Sequence, residues 1–156
     1  METRINFMEK GAGVIRAMQG LNAYLAKSPV EESLIHLIDY RISQINGCAW
    51  CLDMHSKDLR EGGETEQRIY TLSAWRETPF FTKRERAALA WAEAVNNIEK
   101  GQIADDVYEE ARAEFSEQEL IDITFAVTTV SAYNRFNIAF RPEVGTYQVG
   151  MFKARA

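Results

Sequence analysis

The residues best suited to covalent chemistry lie between Ser43 and Arg60, in the run Ser-Gln-Ile-Asn-Gly-Cys-Ala-Trp-Cys-Leu-Asp-Met-His-Ser-Lys-Asp-Leu-Arg. It contains both cysteines of the chain and one of its two histidines. On a helix, Cys48, Cys51 and His55 fall at i, i+3 and i+7 and share one face. Asn46-Gly47 is a turn-forming pair and Gly62-Gly63 a stop, so the spacing predicts a helix that begins at or just before Cys48. Cys48 then occupies the first turn, where unpaired backbone N–H groups favour negative charge, and the thiolate is the reactive form of cysteine. Both sulfurs are expected to be acidic. His55 can accept the proton of Cys51 or, as an imidazolium, stabilise its thiolate. The same three side chains also read as zinc ligands, completed by His36 or a carboxylate, or as buried packing residues.

The segments that must hold this helix are themselves helical by period. Phe7 to Leu25 carries Val14, Ile15, Met18, Leu21 and Leu25 at helical spacing, interrupted by Gly11, Gly13 and Gly20, and should end near Ser28-Pro29. Glu31 to Ile45, with Leu34, Leu37, Ile38, Ile42 and Ile45, is a cleaner amphipathic helix that leads directly into the cysteines. Glu66 to Trp75 is a shorter one, closed by Glu77-Thr78-Pro79. Three capping boxes are expected, at Thr82 to Glu85, Asp106 to Glu109 and Ser116 to Glu119. They start helices to about Ile98, Phe115 and Phe140, with Leu89, Ala92 and Val95 as core of the first.

The last of these holds Leu120, Ile121, Phe125, Val127 and Val130, reads as apolar over much of its circumference, and stops before Arg141-Pro142. It belongs in the centre of a bundle or at a subunit interface. The tail from Pro142 to Ala156 has no helical period, yet carries Tyr147, Val149, Met151 and Phe152, and is expected to dock, with a neighbouring subunit as one surface. No segment alternates as a strand. The expectation is one all-α domain over residues 1–156.

Composition narrows the function classes. In 156 residues, 46% are hydrophobic and 26% charged, which is globular. The net charge of −5 comes from interspersed acids, and the absence of a Lys/Arg-rich run argues against nucleic acid as a partner. No apolar run is long enough to span a bilayer and the first residues lack the pattern of a secretory signal, so a cytoplasmic location is expected. In that reducing setting, cysteines three apart point to catalysis or metal binding rather than to a structural disulfide.

The run from Arg41 to Asp58, with its Cys-x-x-Cys-x-x-x-His core at Cys48, Cys51 and His55, resembles the AhpD-like alkylhydroperoxidases of the carboxymuconolactone decarboxylase superfamily. Trp75-Arg76-Glu77-Thr78-Pro79-Phe80-Phe81 and Tyr133-Asn134-Arg135-Phe136-Asn137-Ile138-Ala139-Phe140-Arg141 are similar to the same subgroup, so the resemblance spans nearly the whole chain. It implies a helical bundle assembled as a homo-oligomer, trimer or hexamer. It further implies a cofactor-free cysteine peroxidase: Cys51 attacks a hydroperoxide, Cys48 condenses with the resulting sulfenic acid, and an external thiol or dithiol reduces the disulfide. His55 belongs to the proton relay.

The chain departs from the family at one position. Relays in the family carry a glutamate twelve residues before the first cysteine, where His36 stands here. His36 is expected to replace it as outer base, with Asp39 one turn further along as the alternative carboxylate. Trp50 is expected to point away from the cysteine face, Tyr133 and Asn134 to be hydrogen-bonded packing residues or to face the site, and Trp75, Phe80 and Phe81 to be core or interface aromatics, with the lining of an apolar hydroperoxide pocket as the other reading. Two other activities fit the superfamily or the motif: lactone decarboxylation, which does not need a Cys-x-x-Cys pair, and a disulfide-exchange or redox-sensing module.

Overall fold

The computed structural model describes residues 2–98 and 101–152, and these are helical with no strand among them. The helices are α1 (Phe7–Lys10), α2 (Ala12–Leu25), α3 (Glu32–Asn46), α4 (Ala49–Glu61), α5 (Glu66–Thr71), α6 (Lys83–Asn96), α7 (Asp105–Glu114) and α8 (Glu117–Phe140), with a 3-10 segment Leu72–Glu77 after α5. The all-α expectation holds. Among the described residues no helix is long and apolar enough to cross a membrane.

Helix α3 is the axis of the packing, in contact with α4, α6 and α8. Its apolar stripe, Leu34, Leu37, Ile38 and Ile42, is buried against Leu89 and Ala92 of α6 and Ile123 and Val127 of α8. Removing each such Leu or Ile side chain from water contributes about 1.5–3 kcal/mol, which outweighs the modest intrinsic propensity of Ile for a helix. Beside this core, Glu93 of α6 accepts from Arg41 Nε of α3 at 2.7 Å and from Trp75 Nε1 of the 3-10 segment at 2.9 Å.

Two of the three capping boxes form as expected. Thr82 starts α6 and Ser116 starts α8, each with its side chain on the N3 amide and the N3 glutamate returning to the cap. The box at Asp106 does not form. Helix α7 begins two residues earlier, with Ala104 at the cap, so Asp106 lies inside the first turn and its carboxylate accepts from the Val107 N–H instead. There Asp105 and Asp106 still favour the helix through its dipole.

The first predicted helix is two. It breaks at Gly11, where a Cβ would lie 2.7 Å from the Phe7 carbonyl oxygen. The helix expected from Glu66 to Trp75 tightens after Thr71 because Trp75 turns inward to Glu93, and the Arg86 guanidinium then collects the carbonyls of Trp75, Arg76 and Thr78. Trp75 and Phe81 are core residues, with Phe80 packed against that core.

Helix α8 is less apolar than its sequence suggested. Ile121 is exposed, while Asp122, Thr129, Ser131, Asn134 and Asn137 are buried. Asp122 is satisfied by Tyr24, Ser28 and Gln118, which ties α8 to α2. The tail docks as expected, but on its own chain: Tyr147 is buried, donates its hydroxyl to Asp58 at 2.7 Å and packs edge-on to Trp50. Val149, Met151 and Phe152 stay exposed.

Candidate functional site

Helix α3 stops at Gly47, which adopts the left-handed conformation (φ 71°) that favours glycine. The chain turns there, and the N–H groups of Gly47 and Cys48 both reach the Ser43 carbonyl. Cys48 is extended (φ −86°, ψ 94°) and is the N-cap of α4, one position before the first turn where it was expected. Its Sγ accepts from the Cys51 N–H at 3.4 Å, as a serine oxygen would at that position.

Cys48 and Cys51 form a disulfide, with Cα atoms 5.4 Å apart, and both are buried. Their sulfurs have different surroundings. Cys48 Sγ faces the start of α4, whereas Cys51 Sγ accepts from two side-chain amides of α8, Asn134 Nδ2 at 3.1 Å and Asn137 Nδ2 at 3.2 Å. Asn134 is fully buried and its orientation is fixed by its other partners. Its Nδ2 also donates to Ser43 Oγ, and its Oδ1 accepts from Asn46 Nδ2 at 2.9 Å. Asn46 in turn exchanges hydrogen bonds with Asn96, whose Oδ1 also accepts from Ser131. A chain of amides and hydroxyls from α3, α6 and α8 therefore ends on the Cys51 sulfur.

His55, one turn after Cys51, is 8% exposed. Burial first, and the neighbouring His36 second, push its pKa down to about 3. With the cysteine pair oxidised the ring is held neutral, and a neutral ring is the form that can accept a proton. His36 lies on α3, half-buried, with Nε2 3.6 Å from Glu32 Oε1. Asp39, also half-buried on α3, has its pKa raised to about 8 by desolvation.

These groups share a cavity of about 1060 Å³ between α2, α3, α4, α8 and the tail. Cys51, His55, His36, Asp39 and Asn137 line it, and Cys48 does not. Its walls include Ile35, Met54 and Trp50, so Trp50 turns toward the cavity rather than away from the site. Tyr133 lines it as well, its hydroxyl accepting from Asn22. Among the described residues no three His, Cys, Asp or Glu side chains are grouped to hold a metal ion.

No part at the site was expected of Ser43, Asn96, Ser131 or Asn137, and Asn46 entered only as half of a turn. One signal was available. Asn134 and Asn137 stand at i, i+3 inside a long helix, where asparagine is disfavoured and a tertiary partner is the usual reason for it.

A helical protein with a vicinal cysteine pair at a helix N-terminus, one sulfur open to an apolar cavity, is what this fold and site define. The chain belongs to the carboxymuconolactone decarboxylase family, whose sequence pattern matches residues 12–94. It is 35% identical over 139 residues to the uncharacterized protein YdfG of Bacillus subtilis (strain 168), covering 89% of this chain and 95% of that one. A crystal structure of a protein of unknown function from Agrobacterium tumefaciens, provisionally called the antioxidant defence protein AhpD, is 40% identical. It superposes with a TM-score of 0.89 over 94% of this chain and 100% of that one. The apo debrominase Bmp8 shares the fold at 23% identity, with a TM-score of 0.77 over 89% of this chain and 75% of that one.

Proposed function

We propose that the chain is a thiol-dependent peroxidase that reduces organic hydroperoxides through Cys51 and Cys48. The observation that carries this reading is the asymmetry of the pair. Cys51 Sγ is the sulfur on the cavity that His55 also lines, and Cys48 lies behind it within bonding distance. The apolar walls of that cavity suit an organic hydroperoxide.

In the reduced protein His55 takes the Cys51 proton, and the thiolate attacks the outer oxygen of the hydroperoxide. An S–O bond forms, the O–O bond breaks, and the departing alkoxide leaves as the alcohol with the proton from His55. Cys48, as thiolate, then attacks the Cys51 sulfenic acid. The S–S bond forms, the S–O bond breaks, and hydroxide leaves as water with the Cys48 proton. A dithiol restores both cysteines by exchange. His36 serves as the outer base behind His55, the acid of the family relay being absent. The protein works in the reducing cytoplasm as a homo-oligomer.

The test is intact mass and free-thiol titration of reduced protein after one equivalent of cumene hydroperoxide, beside Cys48→Ser and Cys51→Ser variants. Rapid loss of both thiols in the wild type, and a sulfenic acid trapped only where Cys51 remains, are the expected results. Untouched peroxide with both thiols intact would sink the reading. Oxidation without turnover under a dithiol reductant would leave a redox sensor in its place.

A further inference from the structure

The sulfur of Cys51 receives two side-chain amides from a helix that contributes no cysteine, histidine or acid to the pair. Asn134 and Asn137 lie one turn apart on α8, buried, and aim Nδ2 at Sγ from 3.1 and 3.2 Å. The Asn134 amide is not free to turn its oxygen toward the sulfur at no cost. The Asn134 Oδ1 is taken by Asn46, which is itself locked by Asn96. Helix α8 tolerates two poor helix formers here, which a purely apolar packing role would not require.

We propose that Asn134 and Asn137 form the anion hole of Cys51, the donors that hold its sulfur as a thiolate. The physical reason is differential. An N–H donor interacts far more strongly with a thiolate than with a thiol, so two of them shift the proton equilibrium toward the charged form. The helix N-terminus supplies the same service to Cys48, whose Sγ faces the first-turn amide of Cys51. Each sulfur thus has its own stabiliser, and the α8 donors belong to Cys51. Because they stabilise the reduced form, they also make the disulfide easier to reduce, as stabilisation of a reduced thiolate does in general.

Other titratable groups line the cavity onto which this sulfur opens: His55 and Asp58 from α4, Glu32, His36 and Asp39 from α3, Tyr133 from α8 and Glu143 from the tail. They are common to the wild type and to the variants below, so the difference between them isolates the two amides. The inference rests on Cys51 being the reactive thiol of the proposed peroxidase, but its readout needs no peroxide.

The experiment measures the Cys51 pKa in a Cys48→Ser background, by pH-dependent iodoacetamide alkylation and ultraviolet thiolate absorbance, with Asn134→Ala, Asn137→Ala and Asn137→Asp added singly. Each alanine variant is expected to lower the thiolate fraction about tenfold below the pKa, one pKa unit for one charge-assisted donor. Asn137→Asp, equal in shape, is expected to lower it further by setting a carboxylate against the sulfur. In the intact pair, equilibrium with a thiol buffer should show a disulfide more resistant to reduction, by about 30 mV for each tenfold. An unchanged Cys51 pKa in folded Asn137 variants overturns the proposal, even if Asn134→Ala proves too damaging to purify. A shifted pKa in a protein that ignores hydroperoxides overturns the proposed function and leaves the anion hole standing.

Discussion

The Tyr147 hydroxyl donates to Asp58 Oδ1 at 2.7 Å, and through this bond the tail is fastened to the helix that carries the cysteines. Lys57 Nζ reinforces it by donating to the Tyr147 carbonyl at 3.0 Å. Burial, and then Asp58, push the tyrosine pKa up to about 12. Its folded pKa is above the ordinary 10.0, so the stability it contributes is present below pH 10 and is lost as the pH rises toward 12. Tyr147→Phe should cost about 1–2 kcal/mol in urea unfolding at neutral pH. Hydrogen exchange of the tail amides should quicken in parallel, and an unaltered exchange rate would show that the bond does not hold the tail.

His55 and Asp39 pull the pH profile in opposite directions. The His55 pKa is depressed, so its contribution is full above the ordinary 6.5 and is lost as the pH falls toward 3. The Asp39 pKa is raised, so its contribution is full below the ordinary 3.8 and is lost as the pH rises toward 8. Asp39→Asn should therefore raise the melting temperature at pH 8 and leave it nearly unchanged at pH 4. The His55 ring resonances should not titrate between pH 5 and 8, and a midpoint near 6.5 by NMR would contradict the buried neutral ring.

Glu93 joins three elements through Arg41, Trp75 and Arg76. Burial pushes its pKa upward, but the bonds from Trp75, Arg76 and Arg41 prevail and hold it below the usual carboxylate value. Its contribution is present above about pH 4.5, the ordinary glutamate value, and is lost as the pH falls through the lowered folded pKa. Glu93→Ala strands the Arg41 charge and the Trp75 indole N–H. A loss of roughly 3 kcal/mol is expected, read as a lower urea midpoint at constant slope. A loss well under 1 kcal/mol would show that Arg41 finds water instead.

His36 is the residue whose role the proposed relay stretches furthest, since its ring lies 3.6 Å from Glu32 Oε1 and shares only a cavity with His55 and Cys51. His36→Gln should slow peroxide-driven loss of the Cys51 thiol by about tenfold, less than the roughly hundredfold or more of a proton acceptor that meets the reacting group directly. His55→Gln should slow it more. Equal rates in wild type and His36→Gln would confine the relay to His55, and Asp39→Asn would then be the variant to measure.

Several features followed from short-range patterns. Leu34, Leu37, Ile38 and Ile42 marked the buried face of α3 because period alone decides which side of a helix is apolar. Thr82 with Glu85 and Ser116 with Glu119 marked the starts of α6 and α8, because a capping box is closed within four residues. Cys51 and His55, one turn apart, share a face of α4 for the same reason wherever the helix packs, with Cys48 as its N-cap.

Tertiary structure decided the rest. Local sequence marks Asn134 as a poor helix former but does not name its partners, because Ser43, Asn46 and Cys51 are some ninety residues away, brought to it by the packing of α3 and α4 on α8. The split after Thr71 arises because Trp75 is drawn to Glu93 on another helix, a pull that helix propensity does not contain. The neutrality of His55 follows from desolvation, which depends on every element packed around the ring. By itself the sequence determined which residue types stand at a spacing suited to thiol chemistry. The packing of α8 and the cavity determined which of the two sulfurs meets a pair of amides and an open face, because donors distant in the chain and excluded water are properties of the assembled fold.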